Sequence, residues 1–208
     1  MYLNLLKFNE LTFFGLFTGG DELRSDWINN DVMAHILSAL MVENRLAIVV
    51  SLTTGLRIDD VLSLKTAQLS ERITVTESKT KKRRTIRLSN SLLDELLKIS
   101  GKIWVFEGRC DARKHRTRQA VYKDIKRACK AFRVPSTLKV SPHTARKMYA
   151  VKQYKRTCSM EKVQSLLNHS SEAVTMIYAL ADELTRRNST SRENEYIKPD
   201  GEKRPAKK

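Results

Sequence analysis

SPHTARKMYAVKQYKRTCSMEKVQSLLNHSSEAVTMIYAL, residues 141–180, decides how the whole chain is read. Ser141 is a residue type that caps helices and Pro142 suits a first helical position, so a helix is expected to start here. His143 and Arg146 are then three apart on one face, near the positive end of that helix, and such an end binds anions. His169 and Tyr178 follow in the same stretch. Each has an ordinary explanation when taken alone. His-x-x-Arg is commonly a surface or capping arrangement. A tyrosine among Ala173, Val174, Met176 and Ile177 is commonly a core residue with a satisfied hydroxyl. The joint pattern, in a strongly basic chain, points to phosphate chemistry.

Composition supports that direction. The 208 residues include 39 Lys+Arg against 23 Asp+Glu, a formal net charge of +16. With 41% hydrophobic residues the chain can bury one main core, so a folded binder of polyanions fits best. An anionic membrane surface is the competing partner, but no segment reaches the roughly 18 apolar residues of a spanning helix. Cys110, Cys129 and Cys158 form no close pair, and their odd number argues against a disulfide framework; reduced, structural thiols are expected. Cys110 and His115 are near each other but lack the further ligands of a metal site. In the apolar N-terminal stretch, Lys7 and Glu10 interrupt the run. Asp21 and Glu22 follow without a small-residue cleavage site, so an intracellular, cytoplasmic protein is expected.

Upstream of the deciding stretch, Val32, Ile36, Leu37 and Leu40, then Leu46, Ala47, Val49, Val50 and Leu52, predict two helices, the second largely buried. Thr53-Thr54-Gly55 breaks the second, and Gly55 can hold a tight turn before Leu56-Arg57-Ile58-Asp59-Asp60. Arg57 alone reads as a surface or salt-bridging arginine, and Asp60, three residues on, is expected to hold its guanidinium. From Arg72 to Leu88 the period changes to two, which predicts a β-hairpin with its tip at Ser78-Lys79-Thr80-Lys81-Lys82-Arg83-Arg84. A solvated charge run is the default for such a tip, yet clustered cations on a hairpin can also enter a DNA groove. Leu92, Leu93, Leu96, Leu97 and Ile99 mark a short amphipathic helix, and Ile103 to Phe106 a brief strand or connector. Val121, Ile125, Ala128 and Phe132 line one face of a further helix, ended by Pro135.

Arg57, Lys79, His143, Arg146, His169 and Tyr178, in this order, resemble the catalytic domain of the tyrosine recombinase (phage integrase) family. TGLRIDDVLSLK is similar to the family's first arginine box, SKTKKRRTIRL to the hairpin that carries its lysine, HTAR to the His-x-x-Arg box, and LLNHSSEAVTMIYAL to the box joining the last histidine to the tyrosine. The usual Leu-Gly-His reads Leu167-Asn168-His169, which costs a flexible turn and keeps the imidazole. The implied fold class is mainly α (α+β), a helical catalytic domain with a small antiparallel β-hairpin. Residues 31–182 would form that domain. Residues 1–30 would be an extension without the family's full DNA-clamping domain, and residues 183–208 a basic, flexible tail.

The resemblance implies a site-specific recombinase that cleaves and rejoins DNA through a 3′-phosphotyrosyl intermediate, with neither metal nor cofactor. Its catalytic residues would be Arg57, Lys79, His143, Arg146, His169 and Tyr178, with Asp60 in support. Lys81, Lys82, Arg83 and Arg84, with Lys147 beside Arg146, are the candidate DNA contacts. The partner would be double-stranded DNA with paired inverted repeats, bound by a homotetramer that is monomeric when free, on the nucleoid of a bacterial cell or as a phage-derived protein. A type IB topoisomerase uses similar residues to relax DNA, and a non-catalytic DNA-binding remnant of a mobile element is the alternative from outside enzymology.

Overall fold

The computed structural model describes residues 28–167; the sequence expectations for His169, Tyr178, the N-terminal extension and the tail lie outside this range. Helix α1 spans Asn30–Ala39, α2 Val42–Thr54 and α3 Ile58–Leu62. After a 3-10 turn at Thr66–Gln68 come strands β1, Arg72–Thr76, and β2, Arg83–Arg87. Helices α4, Asn90–Ile99, α5, Arg118–Ala131, α6, Pro142–Thr157, and α7, Met160–Leu167, complete the order. The mainly helical architecture with one antiparallel hairpin is the one expected.

Local chemistry sets the helix starts. Asn29 Oδ1 accepts from Val32 N–H at 2.9 Å, and Thr117 Oγ1 accepts from Ala120 N–H at 3.2 Å. Ser141 Oγ accepts from His143 N–H at 3.2 Å while Ser141 N–H donates to Thr144 Oγ1 at 3.2 Å, so α6 begins on a reciprocal cap with Pro142 at its first position. The Ile103–Phe106 segment is a connector, with one isolated bridge between Lys65 and Trp104. Helix α5 stops at Ala131, ahead of Pro135, since Arg133 turns to a positive φ of 50°. No helix among the described residues is long and apolar enough to cross a membrane.

Helix α2 is the axle. Leu46, Ala47, Ile48 and Val50 are all buried, and the helix packs against α6, α3, α1 and α4. The buried face of the hairpin, Ile73, Val75 and Ile86, closes the same core. A smaller cluster of Tyr149, Ala150, Val163 and Leu167 joins α6 to α7.

Where the α1–α2 turn meets α5, the core is polar. Asn44 Nδ2 donates to Asp124 Oδ2 at 2.7 Å, and Met41 N–H to the same oxygen at 2.9 Å. Arg127 Nη2 donates to Asp124 Oδ1 at 2.6 Å, and Arg116 Nε to Asn44 Oδ1 at 2.7 Å. Burial of Asp124 works to raise its pKa, but hydrogen bonds from Asn44, Met41 and Arg127 outweigh it and hold the carboxyl below its ordinary value. The three cysteines carry free thiols.

Candidate active site

Helix α2 ends where Gly55 enters the left-handed region at φ 71°, its N–H donating to Ser51 O at 2.8 Å. Glycine is required twice over: a side chain would be strained there, and a Cβ would run into the ring of Tyr149. This turn carries Arg57 to the start of α3 with only 6% of its surface exposed. Arg57 Nη1 donates to Glu77 Oε2 at 2.8 Å. Asp60 does not take the role expected for it: its Oδ1 accepts Ser78 N–H at 2.8 Å, at the hairpin tip, and the described carboxylate on Arg57 is Glu77. Helical spacing brings residues 57 and 60 near each other, but the hairpin folds over α3 and supplies partners to both.

Arg146 reaches the same turn from α6. It is fully buried; its Nη1 donates to Gly55 O at 2.5 Å and its Nη2 to Leu167 O at 2.9 Å. One guanidinium thus fastens the end of α2 to the end of α7. His143, one helical turn before it, is half-buried, as is Lys147. Arg57 and Arg146, far apart in sequence, are tied to one segment, Arg57 standing in it and Arg146 bonding the Gly55 carbonyl two residues before, at the negative end of the α2 dipole, where cations are favoured.

The hairpin pairs Ile73 with Ile86 and Val75 with Arg84. Opposed residues share a face, so Arg84 lies on the buried side with Ile86, and Arg83 and Arg87 point away. Arg84 Nη2 donates to Thr54 O, its Nη1 lies 3.7 Å from Glu77 Oε1, and its guanidinium sits over the Tyr149 ring at 5.9 Å. The expectation that Arg84 faces DNA is therefore corrected: it is a third guanidinium of the interior cluster. Period-two alternation from Ile86 carried that signal, and the charge run masked it. Lys79, Lys81, Lys82 and Arg83 are exposed. The turn bearing Lys79 is closed by Lys81 N–H to Glu77 O at 2.9 Å and Glu77 N–H to Lys82 O at 3.0 Å.

Glu77, with no exposed surface, went unnoticed in the sequence. Its only signal there is that it is the sole acid between Glu71 and Asp94. Buried and charged, it is held by Arg57, Arg84 and Thr80 Oγ1, the last at 3.1 Å. Three arginines, one buried carboxylate and the carbonyls of Thr54, Gly55 and Leu167 make a cationic floor, bonded through Glu77 to the turn that bears Lys79. Such a floor suits an oxyanion with forked, fixed donors. No group of three or more metal-ligating side chains occurs among the described residues.

The sequence model described as the phage integrase family matches residues 26–184. The chain is 33% identical over 142 residues to "Probable integrase/recombinase YoeC" of Bacillus subtilis, a match covering 65% of this chain and 76% of that relative. In fold it is similar to a lambda integrase dimer bound to a COC′ core site, with a TM-score of 0.63 and 22% identity over 76% of this chain and 60% of that one. A lambda integrase tetramer bound to a Holliday junction gives a TM-score of 0.59 at 23% identity over 76% of this chain and 49% of that one. The chain thus spans about half to three fifths of the length of these integrase structures.

Proposed function

Because the chain belongs to the phage integrase family, we propose that it is a tyrosine-type site-specific recombinase that cuts and rejoins DNA strands through a 3′-phosphotyrosyl link. The observation that carries this reading is that Arg146, on α6, bonds the carbonyl of Gly55, two residues before the buried Arg57. In-line attack on a phosphodiester concentrates negative charge on the non-bridging oxygens, and preorganised guanidinium groups stabilise that charge more than they stabilise the ground state. Forked donors are suited to this and a lysine ammonium is not.

In the proposed step the Tyr178 oxygen forms a bond to phosphorus and the bond from phosphorus to the 5′ oxygen breaks. A phenol with a pKa near 10 needs a base, and His143, at the capped start of α6, serves as one. Lys79 on the hairpin turn supplies the proton that the departing 5′ oxygen takes up. His169 adds a hydrogen bond to the phosphate. The Leu167 carbonyl, two residues before His169, is itself bonded to Arg146, which supports this role. The covalent link conserves the bond energy, so attack by a 5′-hydroxyl of another duplex reverses the step without ATP or metal.

The exposed outer face of the hairpin, with Arg72 directly opposite Arg87 and Arg83 beyond them, juxtaposes like charges that a phosphate backbone would relieve. Exchange between two duplexes calls for two protomers per site, hence a homotetramer on paired inverted repeats in the cytoplasm. The test is covalent trapping on a nicked suicide duplex built from the repeats flanking the gene. Wild type should yield a protein–DNA adduct, and Tyr178→Phe should yield none while still binding the duplex. An adduct that persists in Tyr178→Phe would remove Tyr178 from its role.

A further inference from the structure

Lys79 sits on an exposed turn, yet the residues around it are tied to the interior. Glu77 carries most of those ties. Its carboxylate accepts from Arg57 Nη1 at 2.8 Å and Thr80 Oγ1 at 3.1 Å and lies 3.7 Å from Arg84 Nη1. Its backbone closes the turn on both sides, to Lys81 and Lys82. Ser78 N–H is bound by Asp60 on α3. Three of the four residues of the segment Glu77–Thr80 are therefore anchored, and the fourth is the lysine.

We infer that Glu77 is a positioning residue for strand cleavage: one buried carboxylate fixes the plane of Arg57 and the turn that presents Lys79, so that both address the same phosphate. This rests on the reading of Arg57 and Lys79 as cleavage residues. A guanidinium carries five N–H donors in one fixed plane, so the bond to Glu77 sets the direction in which all of them point. An ionised carboxylate with no exposed surface persists only where cations meet it, and Arg57 and Arg84 do so from opposite directions in sequence, one before the hairpin and one on β2. The coupling runs both ways. A hairpin that lifts away takes from Arg57 its orienting partner, and an Arg57 that turns away leaves a buried charge behind. Cleavage geometry and hairpin seating thus form one cooperative unit.

The experiment compares full-length wild type, Glu77→Ala and Glu77→Gln by single-turnover trapping on the suicide duplex, by duplex affinity, and by amide hydrogen exchange. Glu77→Ala should slow trapping about 100-fold, the scale of a misplaced reacting group. Glu77→Gln, which keeps the shape and one acceptor, should slow it about tenfold, with duplex Kd in both variants within about threefold of wild type. Exchange at the Ser78 and Lys81 amides should quicken about tenfold while the α2 amides of Ala47 and Val50 hold their protection. Trapping by Glu77→Gln at or above the wild-type rate would overturn the inference and make the carboxylate a competitor for Arg57. Should wild type itself form no adduct, the recombinase reading falls; unchanged exchange at Ser78 and Lys81 in Glu77→Gln overturns the positioning role independently of that result.

Discussion

Gly55 holds a left-handed backbone, lies against Tyr149 and offers its carbonyl to Arg146, so the seating of α6 on the end of α2 depends on the absence of one methyl group. Gly55→Ala adds the left-handed penalty to an overlap with the ring, and should cost about 3 kcal/mol of unfolding free energy, measured by urea titration. A variant within about 0.5 kcal/mol of wild type would mean that the turn relaxes without penalty. The need for a turn at Gly55 was legible from the sequence, because the helical period breaks there. The ring against it was not, because Tyr149 is nearly a hundred positions downstream and nothing local marks which tyrosine will arrive. The same holds for Glu77 with Arg57: proximity in sequence suggested Asp60, and the hairpin brought a different carboxylate.

At the level of elements, the hairpin divides its cations by parity. Lys81, Lys82 and Arg83 are exposed, and Arg84 is turned inward beneath them. Replacing Lys81, Lys82 and Arg83 together by alanine should reduce the slope of log K for duplex binding against log salt by about 2 to 3, close to one for each phosphate no longer neutralised. Arg84→Ala should change that slope by less than about one. Equal slopes in the triple variant and wild type would show that the tip does not touch the phosphate backbone. The hairpin, its strands and its basic tip were readable because alternation of Ile73, Val75 and Ile86 is local. The inward turn of Arg84, two positions before Ile86, follows from the same alternation, but the charge run around it hid it. Helix α6 was the most legible element, since its cap, its first-position proline and its His-x-x-Arg pair all lie within six residues.

Across the whole molecule, two polar knots pin an otherwise apolar core around α2: the cation floor at its C-terminal end and the Asn44–Asp124–Arg116 clasp near its N-terminal end. The folded pKa of Asp124 lies below its ordinary value, so the clasp contributes stability above about pH 4 and loses it as pH falls through the lower folded value. Asp124→Ala should therefore destabilise the protein by about 2 kcal/mol at neutral pH and flatten the acid limb of its stability curve, measured by urea unfolding across pH. An acid limb identical to wild type would exclude Asp124 as its source. The clasp was invisible in the sequence, because its members are surface-type residues whose burial depends on how α5 crosses the α1–α2 turn. The tyrosine ring laid against Gly55 has a further consequence for anyone watching this protein in solution. Methylene protons held against an aromatic ring are displaced by its ring current, so the Gly55 resonances should stand apart from those of other glycines. They form a built-in magnetic gauge of the distance between α2 and α6, readable without any label attached to the chain.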